Sequence, residues 1–100
     1  MPRYYLTNRA RADIRDIARF TRARRGIEQR ARYLNALGER FQSIAENPAT
    51  GRRREELASG YRSALCGRHI AIYRQVDGGI EIVRVLHVSM DVADRIKEDK

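Results

Sequence analysis

The stretch His69-Ile-Ala-Ile-Tyr-Arg-Gln-Val-Asp-Gly-Gly-Ile-Glu-Ile-Val-Arg-Val-Leu-His-Val88 decides the fold. Two runs rich in β-branched and aromatic residues flank Asp77-Gly78-Gly79, and such a glycine-containing break predicts a tight antiparallel hairpin. Upstream, Tyr61 to Cys66 has the same composition and ends at Gly67, so three strands form an antiparallel meander. Alternation puts Ile70 and Ile72 on one face of the hairpin and Ala71 and Tyr73 on the other. By the same count Ile80, Ile82 and Leu86 oppose Val83 and Val85. Both faces are apolar, so both require cover.

Working towards the N-terminus, the hydrophobic period changes. Ile27, Ala31, Leu34, Leu37, Phe41, Ile44 and Ala45 recur at helical spacing, and Asn47-Pro48 ends that run because a residue before proline is pushed out of the helical region. Ala10, Ile14, Ile17, Ala18 and Thr21 form an earlier helical stripe, started by Thr7 or Asn8 and stopped at Gly26. Two helices joined at one glycine must be antiparallel neighbours. Arg3 to Leu6 reads as a short strand, Ala49 to Glu56 as a loop, and Ser89 or Asp91 as the cap of a short helix reaching Glu98. The expected class is therefore α+β: an N-terminal strand, an antiparallel helical hairpin packed on an antiparallel sheet, and a short C-terminal helix, all in a single domain 1–100.

The helical hairpin covers one sheet face. The other is expected to stay partly open as an apolar groove for a partner protein, the alternative being that the C-terminal helix folds back over it. Charge points the same way. The 100 residues carry 21 Lys and Arg against 13 Asp and Glu, a net charge of +8, and 14 of the basic side chains lie in the first 56 residues. That field attracts polyanions, either nucleic acid or an acidic protein segment. Met1 to Ala10 carries arginines and tyrosines instead of a long apolar run, and no stretch approaches the ~20 apolar residues of a membrane span. A cytoplasmic location without membrane contact is the expectation.

Chemistry has few carriers. Cys66, His69 and His87 lack paired ligand spacing, so no metal is expected, and no glycine-rich phosphate loop suggests a cofactor. Acid–base cleavage of RNA would need a base, an acid and a cation for the phosphate. His87, Arg84, Tyr73 and Arg62, with Glu55 or Glu56, supply those groups on paper. The more ordinary reading places Tyr73 and His87 as strand residues with a satisfied polar tip, and Arg52 to Arg54 as a solvated loop without an assigned role.

Taken in order, several segments resemble the ParE toxins of type II toxin–antitoxin systems, within the RelE/ParE superfamily. They are Tyr5-Leu-Thr-Asn-Arg-Ala-Arg-Ala-Asp-Ile-Arg-Asp-Ile-Ala18, Gly26-Ile-Glu-Gln-Arg-Ala-Arg-Tyr-Leu34, Ile44-Ala-Glu-Asn-Pro-Ala-Thr-Gly-Arg52, Glu56-Leu-Ala-Ser-Gly-Tyr-Arg62, Ile72-Tyr-Arg74 and Arg84-Val-Leu-His-Val-Ser-Met-Asp91. The resemblance implies a toxin that inhibits DNA gyrase by trapping the cleaved DNA complex. It also implies a ParD-like antitoxin that wraps the toxin and reaches DNA itself, so that the toxin meets DNA only indirectly. The alternative branch is a RelE-like ribosome-dependent mRNA endoribonuclease. On the gyrase reading Arg84, His87, Met90 and Asp91 are expected to meet the target. The antitoxin is expected to lie on Arg15, Arg19, Arg22, Ile70, Ile72, Tyr73, Val83 and Val85.

Overall fold

A computed structural model describes residues 1–98. The chain runs β1 (Arg3–Leu6), α1 (Asn8–Glu46), a 3-10 turn (Pro48–Thr50), β2 (Arg52–Arg53), β3 (Tyr61–Cys66), β4 (His69–Val76), β5 (Gly79–His87) and α2 (Val92–Glu98). The 39 residues of α1 would span about 58 Å as a straight rod at 1.5 Å per residue. The longest dimension of the molecule is 38 Å. The difference is made at Gly26, whose φ of 86° and ψ of 176° break the helix into two arms that return along each other. Only glycine takes that φ without a Cβ penalty. Thr7 starts the first arm, its Oγ1 accepting from the Ala10 N–H at 3.1 Å while donating to the Val83 carbonyl at 2.8 Å.

The five strands lie in the order β1-β5-β4-β3-β2. The meander β3-β4-β5 is antiparallel as expected, with Cys66 opposite His69 and Val76 opposite Gly79. β1 adds a parallel pair along β5, Leu6 facing Ile82, which makes the sheet mixed. The chain between these two strands runs through α1, β2, β3 and β4, so their parallel pairing is a relation that local patterning does not encode. The segment expected as a loop from Ala49 to Glu56 contains the 3-10 turn and the edge strand β2. No helix among the described residues is long and apolar enough to cross a membrane.

The sheet separates two cores. On one side Ala10, Ile17, Leu37, Phe41, Ile44 and Ala45 of α1 pack on Ala64, Cys66, Ala71, Tyr73, Ile80, Ile82 and Val85. On the other, Ile72 and Leu86 pack against Leu57 and against Val92 and Ile96 of α2. Two expectations are corrected here. First, Leu86 does not share a face with Ile80 and Ile82. A register shift beside Ile72 and Tyr73 leaves Val83 as an extra residue in β5, and one extra residue reverses every side chain that follows. Val85 therefore joins Ile80 and Ile82, and Leu86 joins Ile72. Second, the second face is not an open groove at Ile72, which is 0% exposed: α2 folds back over it, capped by Asp91, whose Oδ1 accepts from the Asp94 N–H at 3.1 Å.

Candidate interaction surface

A cleft of about 850 Å³ lies between the outer ends of the two α1 arms and the ends of β4 and β5. The first arm contributes Asp16, Ile17, Phe20, Thr21, Arg24 and Arg25, and the second Gln29 and Tyr33. Arg68, His69, His87, Ser89 and Met90 close the other side. Phe20 is 62% exposed and Ile27, near the same turn, 57%. Phe20 and Met90, sharing the lining with the guanidinium groups of Arg24, Arg25 and Arg68, form an amphipathic mouth. The Arg24 guanidinium lies 5.2 Å from the Phe20 ring centroid, a cation–π contact that holds both at the rim.

The floor of the cleft is a polar cluster. The Tyr33 hydroxyl lies 2.5 Å from His69 Nδ1, accepts from the Arg68 N–H at 3.0 Å and lies 3.2 Å from the Cys66 carbonyl. The hydroxyl has one proton for two acceptors, the Cys66 carbonyl and His69 Nδ1, and the imidazole tautomer decides which of them takes it. His69 and His87 meet edge to face with centroids 5.4 Å apart. Burial, then the neighbouring His87, pull the His69 imidazole down from 6.5 to about 4, against a smaller opposing pull from Asp13. Burial also pushes the Tyr33 phenol up, although the Arg68 N–H works the other way. At neutral pH the His69 imidazole and the Tyr33 phenol are therefore uncharged, and Arg24, Arg25 and Arg68 bring positive charge to the lining. His87 Nδ1 lies 2.8 Å from Ser89 Oγ and accepts from the Ser89 N–H at 3.1 Å.

The residues singled out in the sequence do not converge. His87 and Met90 line the cleft. Arg84, expected to meet the target, is 4% exposed: its Nε and Nη2 clasp Asp13 Oδ2 and Oδ1 at 2.8 and 3.0 Å. Asp91 is exposed, with its carboxylate at the start of α2. Tyr73 is fully buried, its hydroxyl donating to the Pro48 carbonyl at 2.7 Å and accepting from the Gly51 N–H at 2.8 Å. Arg62 reaches the same turn, Nη1 to the Gly51 carbonyl at 2.7 Å. Arg54 pairs with Glu56 at 2.8 Å, and Glu55 accepts from the Gly60 N–H at 3.1 Å.

Among the residues expected to meet an antitoxin, Ile72, Tyr73 and Val85 are buried, a correction to their expected exposure, and Ile70 and Val83 are half-buried. Arg15, Arg19 and Arg22 are exposed and do not line the cleft. Sequence reasoning missed Phe20, Arg24, Arg25 and Tyr33 as one site. Phe20 did leave a signal, being an aromatic residue off the helical stripe of Ile17 and Thr21. Among the described residues no cluster of His, Cys, Asp or Glu is placed to hold a metal.

The class is thus a basic α+β protein whose helical hairpin packs on a five-stranded mixed sheet and borders an amphipathic cleft. The family model described as the ParE toxin of type II toxin-antitoxin system, parDE, matches residues 4–92. Toxin ParE1 of Caulobacter vibrioides is 43% identical over 91 residues, covering 91% of this chain and 94% of that protein. Toxin ParE1 of Mycobacterium tuberculosis is 40% identical over 91 residues, covering 90% and 93%. Toxin ParE of Escherichia coli is 33% identical over 103 residues, covering 97% and 99%. In structure the chain is similar to the chromosomal ParDE toxin–antitoxin system from P. aeruginosa, with a TM-score of 0.74 and 21% identity over 89% of this chain and 98% of that one. The YoeB-YefM complex from Staphylococcus aureus shares the fold at a TM-score of 0.58 and 17% identity, over 87% and 97%. The chain belongs to the ParE toxin family of type II toxin–antitoxin systems.

Proposed function

We propose that this toxin acts by contact, inhibiting DNA gyrase by holding its cleaved DNA complex, and that a ParD-like antitoxin neutralises it by occupying the hairpin cleft. The observation that carries the reading is the cleft itself, with an apolar wall at Phe20 and Met90 and guanidinium groups at Arg24, Arg25 and Arg68. An incoming segment with an apolar anchor and flanking carboxylates complements both features, and the charges speed its arrival. Because α2 already covers Ile72 and Leu86, the cleft takes the place of the sheet groove as the antitoxin's seat. His87 and Met90, on its far wall, are the surface offered to the target. Purified protein should block gyrase supercoiling and accumulate cleaved complexes; normal supercoiling at micromolar protein would overturn the gyrase assignment.

One observation favours a second reading, a RelE-like ribosome-dependent mRNA endoribonuclease. The neutral imidazole of His69, the Tyr33 hydroxyl and His87 meet beside Arg68, a base, an acid and a phosphate cation within one cleft. Against it, Tyr73 and Arg62 are engaged at Gly51 and Arg84 at Asp13, which disperses the set expected for that chemistry. Primer extension on translated message decides: codon-positioned cuts lost in His87→Ala support the enzyme, and absence of cuts in the native protein removes it.

A further inference from the structure

The outer face of the first α1 arm carries Arg11, Arg15, Arg19 and Arg22, all exposed. Their spacing of four, four and three residues places them on one ridge, about 16 Å long at 1.5 Å per residue. The opposite face holds Ala10 and Ile17, both buried against the sheet, so the ridge is turned fully outward. It is also separate from the cleft, whose lining includes none of the four. Arg19 makes only an exposed contact with Asp16 at 3.4 Å, and Arg11, Arg15 and Arg22 form no ion pair among the described residues.

We infer that this ridge is a contact surface for the phosphate backbone of duplex DNA, adding a direct contact to the indirect one expected through an antitoxin. Three features select this occupant. The cations are all arginines, whose planar fork takes phosphate oxygens in pairs. No large apolar side chain interrupts the ridge, and at helical spacing Ala12, Ala18 and Ala23 flank it. A bound peptide needs an apolar anchor, which the ridge lacks, whereas a phosphate array needs none. The small neighbours also keep the helix slender, and a helix about 10–12 Å across enters the ~12 Å major groove of B-DNA. The deep, narrow major groove of A-form RNA excludes it. The inference stands whether or not gyrase is the target.

Fluorescence anisotropy of a labelled random-sequence DNA duplex, titrated with the full chain between about 50 and 200 mM salt, tests it. The triple variant Arg11→Glu, Arg15→Glu, Arg22→Glu should bind at least tenfold more weakly. Its log affinity should also depend less steeply on log salt, the slope falling by about 3 for three lost phosphate contacts. A control with the same charge change at the two sheet edges, Arg3→Glu, Arg52→Glu and Arg53→Glu, should change affinity less than about threefold. Circular dichroism confirms folding, and a triple Arg→Gln variant at the ridge replaces the Glu variant if it fails to fold. The inference is overturned if the native chain does not bind the duplex or if both triples weaken it equally. It is also overturned if an A-form RNA duplex or polyglutamate competes through the ridge as well as DNA does.

Discussion

Asp13 and Arg84, 71 positions apart, form a two-pronged ion pair in which the same carboxylate also accepts the Val85 N–H at 2.9 Å. β1 pairs with β5 only as far as Ile82, and beyond that point β5 would present bare N–H groups. Asp13 supplies from a helix the acceptor that a longer strand would have supplied. Arg84 then sits between the hairpin and α2, its Nη1 3.5 Å from the Arg95 carbonyl. The clasp ties three elements together at the end of the sheet.

Removing one partner of that clasp should be expensive. With side chains 5% and 12% exposed, Asp13→Ala leaves a buried guanidinium without its counter-charge, and a loss of about 3–5 kcal/mol is expected. Replacing both by apolar residues, Asp13→Leu with Arg84→Met, should cost less than the single change. Urea unfolding of the three variants measures this. Equal losses for single and double variants would mean that the pair contributes only through packing.

Tyr73 should matter for its hydroxyl as much as its ring. Tyr73→Phe keeps the buried ring but strips the Gly51 N–H and the Pro48 carbonyl of their shared partner, a cost of about 1–3 kcal/mol. Gly51→Ala attacks the same contact from the other side, since a Cβ there would run into the Tyr73 ring and hydroxyl. Melting temperatures should fall for both; an unshifted Tyr73→Phe would show that water replaces the hydroxyl.

Acid should weaken the fold through His69. The unfolded chain takes up a proton near pH 6.5, while the folded protein refuses it until about pH 4. The unfolded state thus binds more protons in between, so this stability is complete above pH 6.5 and is lost as pH falls from there to about 4. Urea midpoints at pH 7 and pH 5 should differ more in the native protein than in His69→Gln. An identical drop in both would place the sensitive group elsewhere.

The seal made by α2 predicts a fourth outcome. Ile96 is 5% exposed over Ile72 and Leu86, and Ile96→Ala should cost about 2–4 kcal/mol through lost burial and the cavity left behind. A hydrophobic dye should bind the variant more strongly than the native protein. A change below about 0.5 kcal/mol would mean that α2 rests only loosely on the sheet.

Local pattern alone determined a good deal. Gly26 between two helical stripes, Asn47-Pro48 after the second, and Asp77-Gly78-Gly79 between two β-branched runs each act over a few residues, and each stands where its chemistry requires. The cleft was only partly legible. His87 and Met90 were visible as candidates near the end of β5, but Phe20, Arg24 and Tyr33 join them solely because the hairpin folds back at that height.

Tertiary structure decided the rest, because those properties depend on partners distant in sequence. Alternation along β5 is a local rule, yet the extra residue at Val83 exists only relative to β4, and it moved Leu86 and Val85 to opposite cores. Arg84 reads as an exposed strand cation until Asp13 arrives from across the chain. Sequence specified which elements form and the sign of the charge they carry; pairing across the sheet specified which side chains remain for another molecule to touch.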